Sequence, residues 1–102
     1  MINKRSFLSN EFQTACTIYH INNKKLGDAT LGKIIEVSNL RPSVVSDAIQ
    51  FLRAWSIINL EAVVGKDGSA TNFKYYVHGM SEGDIQELYE KYWLSHFKRK
   101  GE

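Results

Sequence analysis

Cys16 and His20 are the pair of residues whose types and spacing first suggest chemistry. A thiol and an imidazole four positions apart on a helix lie on one face, where they can share a metal ion. The other histidines, His78 and His96, are distant in sequence and have no carboxylate at ligand spacing. Cys16 also falls on the apolar side of its predicted helix, which is typical of a small buried residue. We therefore predict no metal site, no cofactor and no catalytic pair.

The segment Gly65–Gly68, with Lys66 and Asp67 between two glycines, has the composition of a phosphate-binding loop. Such a loop joins a strand to the start of a helix, and neither neighbour of this segment is a predicted helix. The segment therefore reads as a turn. Since the sequence shows no activated nucleophile, no set of metal ligands and no phosphate-binding loop, it does not favour an enzyme.

The bulk composition predicts one globular domain over residues 1–102. Of these residues 43% are hydrophobic and 24% are charged, which suffices for one modest core. The single cysteine excludes an internal disulfide and suits a reducing compartment. Residues 1–6 are polar and basic, and no apolar run is long enough for a signal peptide or a membrane span. We expect a cytoplasmic protein that does not bind membranes, and its net charge of +2 does not by itself identify a partner.

Three helices are predicted in the first half of the chain from apolar residues at spacings of three and four. They cover residues 8–21, 31–38 and 42–53. The first has one apolar face, made by Leu8, Phe12, Ala15, Cys16 and Tyr19. The third has an inward stripe made by Val45, Ala48, Ile49 and Leu52.

Boundary residues support these helices. Ser9 and Asn10 are plausible N-caps for the first helix and Thr30 is a good N-cap for the second, since their side-chain oxygens accept hydrogen bonds from backbone N–H groups. Asn39 tolerates the left-handed conformation that ends a helix. Pro42 presets φ at the first position of the third helix.

A β-hairpin and a last helix are predicted in the second half. The strands are residues 57–64 and 73–77, and the loop between them, 65–72, is rich in turn residues. The last helix covers residues 82–98, with acids early and bases late. Its wide apolar face consists of Ile85, Leu88, Tyr89, Tyr92, Trp93 and Phe97.

Residues 30–64 resemble the winged-helix family of helix-turn-helix proteins. In this pattern a short helix opened by Thr ends in an Asn turn and a Leu, as in Thr30–Leu40. A helix opened by Pro and Ser, with Val-Ser in its first turns, follows as in Arg41–Leu52. A hydrophobic strand comes next, with Trp55 and Ser56 in place of the common Gly. With its flanking helices the chain is similar to small MarR-like and PadR-like regulators and to winged-helix proteins of archaeal viruses and plasmids. The resemblance implies an α+β winged helix-turn-helix, with a three-helix core, a β-hairpin wing and an additional C-terminal helix.

The resemblance also implies that the outer face of helix 42–53 enters the major groove of double-stranded DNA. Arg41 then pairs with guanine or a phosphate, Gln50 reads adenine through its amide, and Val44 touches a thymine methyl group. The full set of expected DNA contacts is Arg41, Ser43, Val44, Ser46, Gln50 and Arg53 on the helix with Lys66, Thr71, Asn72 and Lys74 on the wing.

Two questions stay open at this level. The aromatic face of helix 82–98 packs either on helix 8–21 of the same chain or on a second copy in a homodimer, which would place two reading helices about one DNA turn apart.

The main hypothesis is a sequence-specific DNA-binding transcriptional regulator. The alternatives are a winged-helix module that binds a protein through Val44 and Phe51, and a DNA-binding protein of replication or plasmid maintenance.

Overall fold

The computed structural model describes residues 9–64, 67–68 and 70–93, and these form a mixed α+β architecture. None of the described helices is long and apolar enough to cross a membrane. The elements in chain order are α1 (Asn10–Asn23), α2 (Leu31–Ser38), α3 (Pro42–Ala54), β1 (Ile58–Val64), β2 (Ala70–Val77), a 3-10 turn (Gly79–Ser81), α4 (Glu82–Leu88) and a π-helical turn (Tyr89–Trp93).

Some predicted features lie outside the described residues. They are Leu8 at the start of the first helix, Lys66 at the wing tip, and residues 94–98 of the last helix with Phe97. The side chains of Thr71, Tyr92 and Trp93 also lie outside the described part.

Helix α1 is the centre of the fold, and it is buried on more sides than the sequence predicts. The predicted stripe includes Ala15 and Cys16, which are fully buried. The structure also buries Thr14, Thr17, Ile18 and Ile21. The prediction of a single apolar face was incomplete because α1 packs against α2, α3, α4 and β2 at once. The two buried threonines remain satisfied, since their hydroxyls donate to the carbonyls four residues earlier at 2.8 Å.

The structure caps α1 at Ser9 and α2 at Thr30, and α1 runs from Asn10 to Asn23, about two residues later at each end than predicted. Ser9 Oγ accepts a hydrogen bond from the backbone N–H of Phe12, and Thr30 Oγ1 accepts one from that of Lys33, each at 3.3 Å. Asn39 ends α2 in the left-handed conformation, with φ of 60°. The turn then places α3 against α1, where the predicted stripe of Val45, Ala48, Ile49 and Leu52 is buried.

The turn that follows α3 contains a left-handed residue that is not glycine, so the sequence does not mark this turn. Ser56 has φ of 59°, in the left-handed region. Its N–H donates to the carbonyl of Arg53 at 3.0 Å, and that of Ile57 donates to the carbonyl of Leu52 at 2.8 Å. These two bonds are the Schellman arrangement that usually has glycine at this position. Ser56 therefore adopts the glycine conformation at a cost.

Ser56→Gly is expected to raise the free energy of unfolding by about 0.5–1 kcal/mol. The left-handed conformation costs a side-chain-bearing residue about 1–2 kcal/mol, and the greater flexibility of glycine in the unfolded chain offsets part of that gain. Urea unfolding followed by circular dichroism measures the change. Ser46→Gly, inside α3, is the matched control and should lower stability by about 0.5 kcal/mol. A Ser56→Gly protein less stable than the parent would contradict the prediction.

The hairpin is longer than predicted and is anchored on its β2 side. Strand β2 begins at Ala70, because Val64 pairs with Ala70 and Val63 with Asn72, across an irregularity in register. The sequence predicts a loop over residues 65–72 because they are rich in turn residues, so this pairing was not expected. Thr30 forms an isolated bridge with Lys74, and the N–H of Tyr75 donates to the carbonyl of Ala29 at 3.0 Å. The start of α2 thus fixes the hairpin to the helical core.

Candidate nucleic-acid interface

Helix α3 has one face in the core and the opposite face in solvent. The buried side chains lie three or four positions apart, which confines them to one stripe. The exposed side carries Ser43, Gln50 and Arg53, and Val44 and Ser46 at its margins are half-buried. All six predicted contacts on this segment, including Arg41, therefore retain some or most of their surface in solvent. The face combines short side chains with the Gln50 amide, the Arg53 guanidinium and the Asp47 carboxylate.

Arg41 precedes α3 and leaves its side chain available. Its backbone carbonyl accepts the first helical hydrogen bond, from Val45 at 3.0 Å, but its side chain makes no capping bond. Pro42 at the first helical position compensates, since it presets φ and has no N–H to satisfy. The first turn contains no acidic residue, so the guanidinium and the positive end of the helix dipole lie together. Asp47, further along the exposed face, opposes them with one negative charge.

An apolar flank runs beside this polar face, formed by Val44, Phe51 and Trp55. Phe51 is 42% exposed and Trp55 is 69% exposed. Their rings are tilted against each other with centroids 6.1 Å apart. The sequence predicts a binding role for Val44 and Phe51, whereas Trp55 is recognised there only as a departure from the family pattern.

An open cleft of about 460 Å³ separates the last turns of α3 from the base of the hairpin. Sequence reasoning missed Asn59 and His78 as parts of this surface. They have no signal in the sequence, because they join this surface only through the contact of β1 with α3, which brings the first residues of β1 beside the end of the helix. The cleft is lined by Gln50, Arg53, Ala54, Ser56, Ile58, Asn59 and His78.

The hairpin residues predicted to bind DNA have partners within the chain. Lys74 Nζ lies 3.4 Å from Glu61 Oε1 and 3.7 Å from Asp28 Oδ1. All three groups are partly exposed, so these ion pairs are weak, yet they offset the charge that Lys74 would offer a phosphate. Asn72 is exposed, and its Oδ1 accepts a hydrogen bond from the N–H of Phe73 at 2.8 Å. The amide nitrogen of Asn72 is a hydrogen-bond donor on an exposed residue.

The aromatic face of the last helix is used largely inside the chain. Ile85 and Tyr89, predicted to form a dimer interface, are only 1% and 3% exposed, and Leu88 is half-buried. Tyr89 packs edge-on against Tyr19 with ring centroids 5.1 Å apart. Its hydroxyl is 2.6 Å from Nδ1 of His20. The packing of α4 on α1 therefore accounts for the described part of this face.

Cys16 and His20 do not form a metal-binding pair. Cys16 is fully buried, and burial raises the pKa of its thiol to about 12, which keeps it protonated. His20 faces Tyr89, and burial, followed by the charge of Lys24, lowers the pKa of its imidazole. Among the described residues no group of three His, Cys, Asp or Glu side chains is placed to hold a metal ion.

Solved structures similar to this chain include those of two bacterial proteins. A structure of Bordetella bronchiseptica BpsR, which concerns the regulation of its DNA binding by 6-hydroxynicotinic acid, matches with a TM-score of 0.61 at 10% identity, over 97% of this chain and 67% of BpsR. A cysteine-to-serine mutant of Lactococcus lactis ZitR matches with a TM-score of 0.60 at 14% identity, over 93% of this chain and 61% of ZitR. The chain thus spans about two thirds of the length of these proteins or less. No family model matches the sequence, and no curated protein is significantly similar to it.

The chain has a winged-helix fold. In this winged helix, α2 and α3 form the helix-turn-helix and the β1–β2 hairpin forms the wing. The fold brings Gln50 and Arg53 of α3 beside the base of the wing, at one end of the exposed face. Arg41 and Ser43 lie at the other end of α3. Asn72 and Lys74 belong to the wing strand β2, which pairs with β1 and with Thr30.

Proposed function

We propose that this winged helix binds double-stranded DNA and reads its sequence through the outer face of α3. The observation that carries the proposal is the two-sided character of α3, whose buried stripe fixes it to the core while Ser43, Gln50 and Arg53 face solvent. A helix fits the major groove of B-DNA, where amide and guanidinium groups make paired hydrogen bonds to adenine and guanine. Arg41 at the start of α3 and Gln50 in its third turn are the two residues to which we assign base contacts.

Phosphate contacts complete this proposed interface. Arg53 lies beside the wing base, where the cleft also has the polar side chains of Asn59 and His78. Contacts of this kind position a protein on the duplex without reading sequence. Asn72 is assigned a similar role on the wing, whereas the ion pairs of Lys74 reduce its contribution.

We further propose that the protein is a transcriptional regulator. Support comes from the fold shared with BpsR, whose DNA binding is subject to regulation. The charge of +2 is small for a DNA-binding protein, and a homodimer would double it and engage two half-sites. Ile85 and Tyr89 are buried within the chain, so the contacts between the two copies of this homodimer would come from more exposed side chains around them.

A salt titration tests the proposed DNA binding. Fluorescence anisotropy of a labelled random-sequence duplex gives the affinity at about 50 mM and about 200 mM salt. About four neutralised phosphates per protomer should weaken binding roughly a hundredfold over that range, because bound counterions are released. Absence of binding at the lower salt concentration, by protein whose circular dichroism shows it folded, would contradict the proposal.

A second candidate function is the binding of a protein partner through the same helix. The exposure of Phe51 and Trp55 favours it, since large aromatic side chains are enriched at the centres of protein interfaces. Association with a protein through this flank would depend little on salt, whereas DNA binding would depend on it strongly.

A further inference from the structure

The apolar flank of α3, formed by Val44, Phe51 and Trp55, lies next to the polar face assigned to DNA. These residues are spaced seven and four positions apart, so they share one side of the helix. Phe51 and Trp55 keep 42% and 69% of their surface in solvent, and their rings contact each other. Their shared surface is therefore a preformed apolar patch on an otherwise polar helix face.

The major groove contains one apolar group that such a patch can recognise. This group is the 5-methyl group of thymine, which the A·T pair presents beside the hydrogen-bonding atoms that Gln50 would read. Cytosine presents a hydrogen at the same position unless it is methylated.

The size of the patch favours DNA over a protein or a second copy of the chain. Stable protein interfaces bury about 800 Å² on each partner, from 20–30 residues. The apolar flank is one strip of three side chains, and the adjoining exposed positions of α3, Asp47 and Gln50, are polar. Arg41 lies three positions before Val44, next to the start of α3, and its positive charge complements phosphates rather than an apolar partner.

We propose that Val44, Phe51 and Trp55 read the 5-methyl groups of pyrimidines in the major groove, so that the protein prefers sites rich in thymine. This inference rests on the proposed DNA binding and adds to it a determinant of specificity. Phe51 is the central residue, because it lies between the other two on the flank and is in ring contact with Trp55.

Matched duplexes that differ only in the 5-methyl group test the inference. The first pair is an alternating A·T duplex of about two helical turns and the same duplex with uracil in place of thymine. The second pair is an alternating G·C duplex with cytosine or with 5-methylcytosine, which separates methyl recognition from the shape of A·T-rich DNA.

Anisotropy at one low salt concentration gives the ratio of affinities within each pair, for the parent protein and for three variants. Phe51→Ala and Trp55→Ala alter the flank. Leu26→Ala is the control, since Leu26 is a large apolar residue that is 44% exposed between α1 and α2, outside the proposed DNA interface.

We expect the parent protein and Leu26→Ala to bind each methylated duplex about fourfold more tightly per buried methyl group, and Phe51→Ala or Trp55→Ala to reduce the ratio toward one. Equal affinities within both pairs, with salt-dependent binding retained, would overturn the methyl inference and leave the proposed DNA binding in place. A difference confined to the thymine and uracil pair, with none between cytosine and 5-methylcytosine, would also overturn it, in favour of shape. No binding to any duplex would overturn both proposals. A dimer seen by light scattering in the parent protein and abolished by Phe51→Ala would assign the flank to a second copy instead.

Discussion

Ile18→Ala is expected to lower the free energy of unfolding by roughly 2–5 kcal/mol. Ile18 is fully buried in α1, the helix against which the other three helices and β2 pack. Truncation removes apolar surface and leaves a cavity that the surrounding elements can fill only in part. Since domains of this size are commonly stable by 5–15 kcal/mol, the loss is a large fraction of the total.

The measurement is urea unfolding monitored by circular dichroism, with extrapolation to water. Val64→Ala is the control, because Val64 is an exposed aliphatic residue at the end of β1, where truncation should change stability by less than about 0.5 kcal/mol. Equal effects of the two substitutions would mean that α1 is not the centre of the core.

The double variant Arg41→Ala, Gln50→Ala is expected to weaken DNA binding by about 2–6 kcal/mol. Each base-reading side chain contributes about 1–3 kcal/mol, and the two lie far enough apart on α3 for their effects to add. Both residues are exposed, and Arg41 makes no capping bond, so the fold should keep its stability within about 0.5 kcal/mol. Anisotropy with an A·T-containing duplex at low salt measures the affinity.

The chain offers a control with the same residue chemistry on another surface. Lys91→Ala, Gln86→Ala removes one cation and one glutamine from the segment of α4 and the π-helical turn. Lys91 Nζ lies 2.9 Å from Glu87 Oε2, and Gln86 Nε2 donates to Glu90 Oε2 at 3.2 Å. Loss of these exposed contacts should leave DNA affinity almost unchanged. Equal affinity losses in both double variants would indicate non-specific charge effects instead of a reading face on α3.

The order of elements and the orientation of α3 were predictable from the sequence. Thr30, Asn39 and Pro42 mark helix ends by their own conformational preferences, which act locally and need no knowledge of the fold. The stripe of α3 was equally clear, because a helix with one solvent face shows its period in the sequence. These signals place the outer face of α3 correctly.

Features that depend on tertiary packing were not predictable in this way. Thr14 and Thr17 are buried because several elements surround α1, and threonine itself does not indicate burial. The left-handed conformation of Ser56 is imposed by the passage from α3 into β1, in the absence of the usual glycine. The last predicted helix changes from α-helical to π-helical hydrogen bonding at Tyr89, a change without a distinct residue signature.

The candidate site shows the same division. Arg41, Ser43 and Gln50 follow from their positions on one helix. Asn59 and His78 belong to the site only because the hairpin base lies against the end of α3. The weak ion pairs of Lys74 likewise require Asp28 and Glu61, which are distant from it in sequence.

The central claim is that the outer face of α3 binds DNA, and the most direct test is a salt titration of the parent protein beside the Arg41→Ala, Gln50→Ala variant. We predict steep weakening of the parent protein's binding with salt. We also predict, for the variant, a lower affinity at every salt concentration and a similar slope, because neither removed side chain is assigned to a phosphate. Identical affinities of the two folded proteins would contradict the claim.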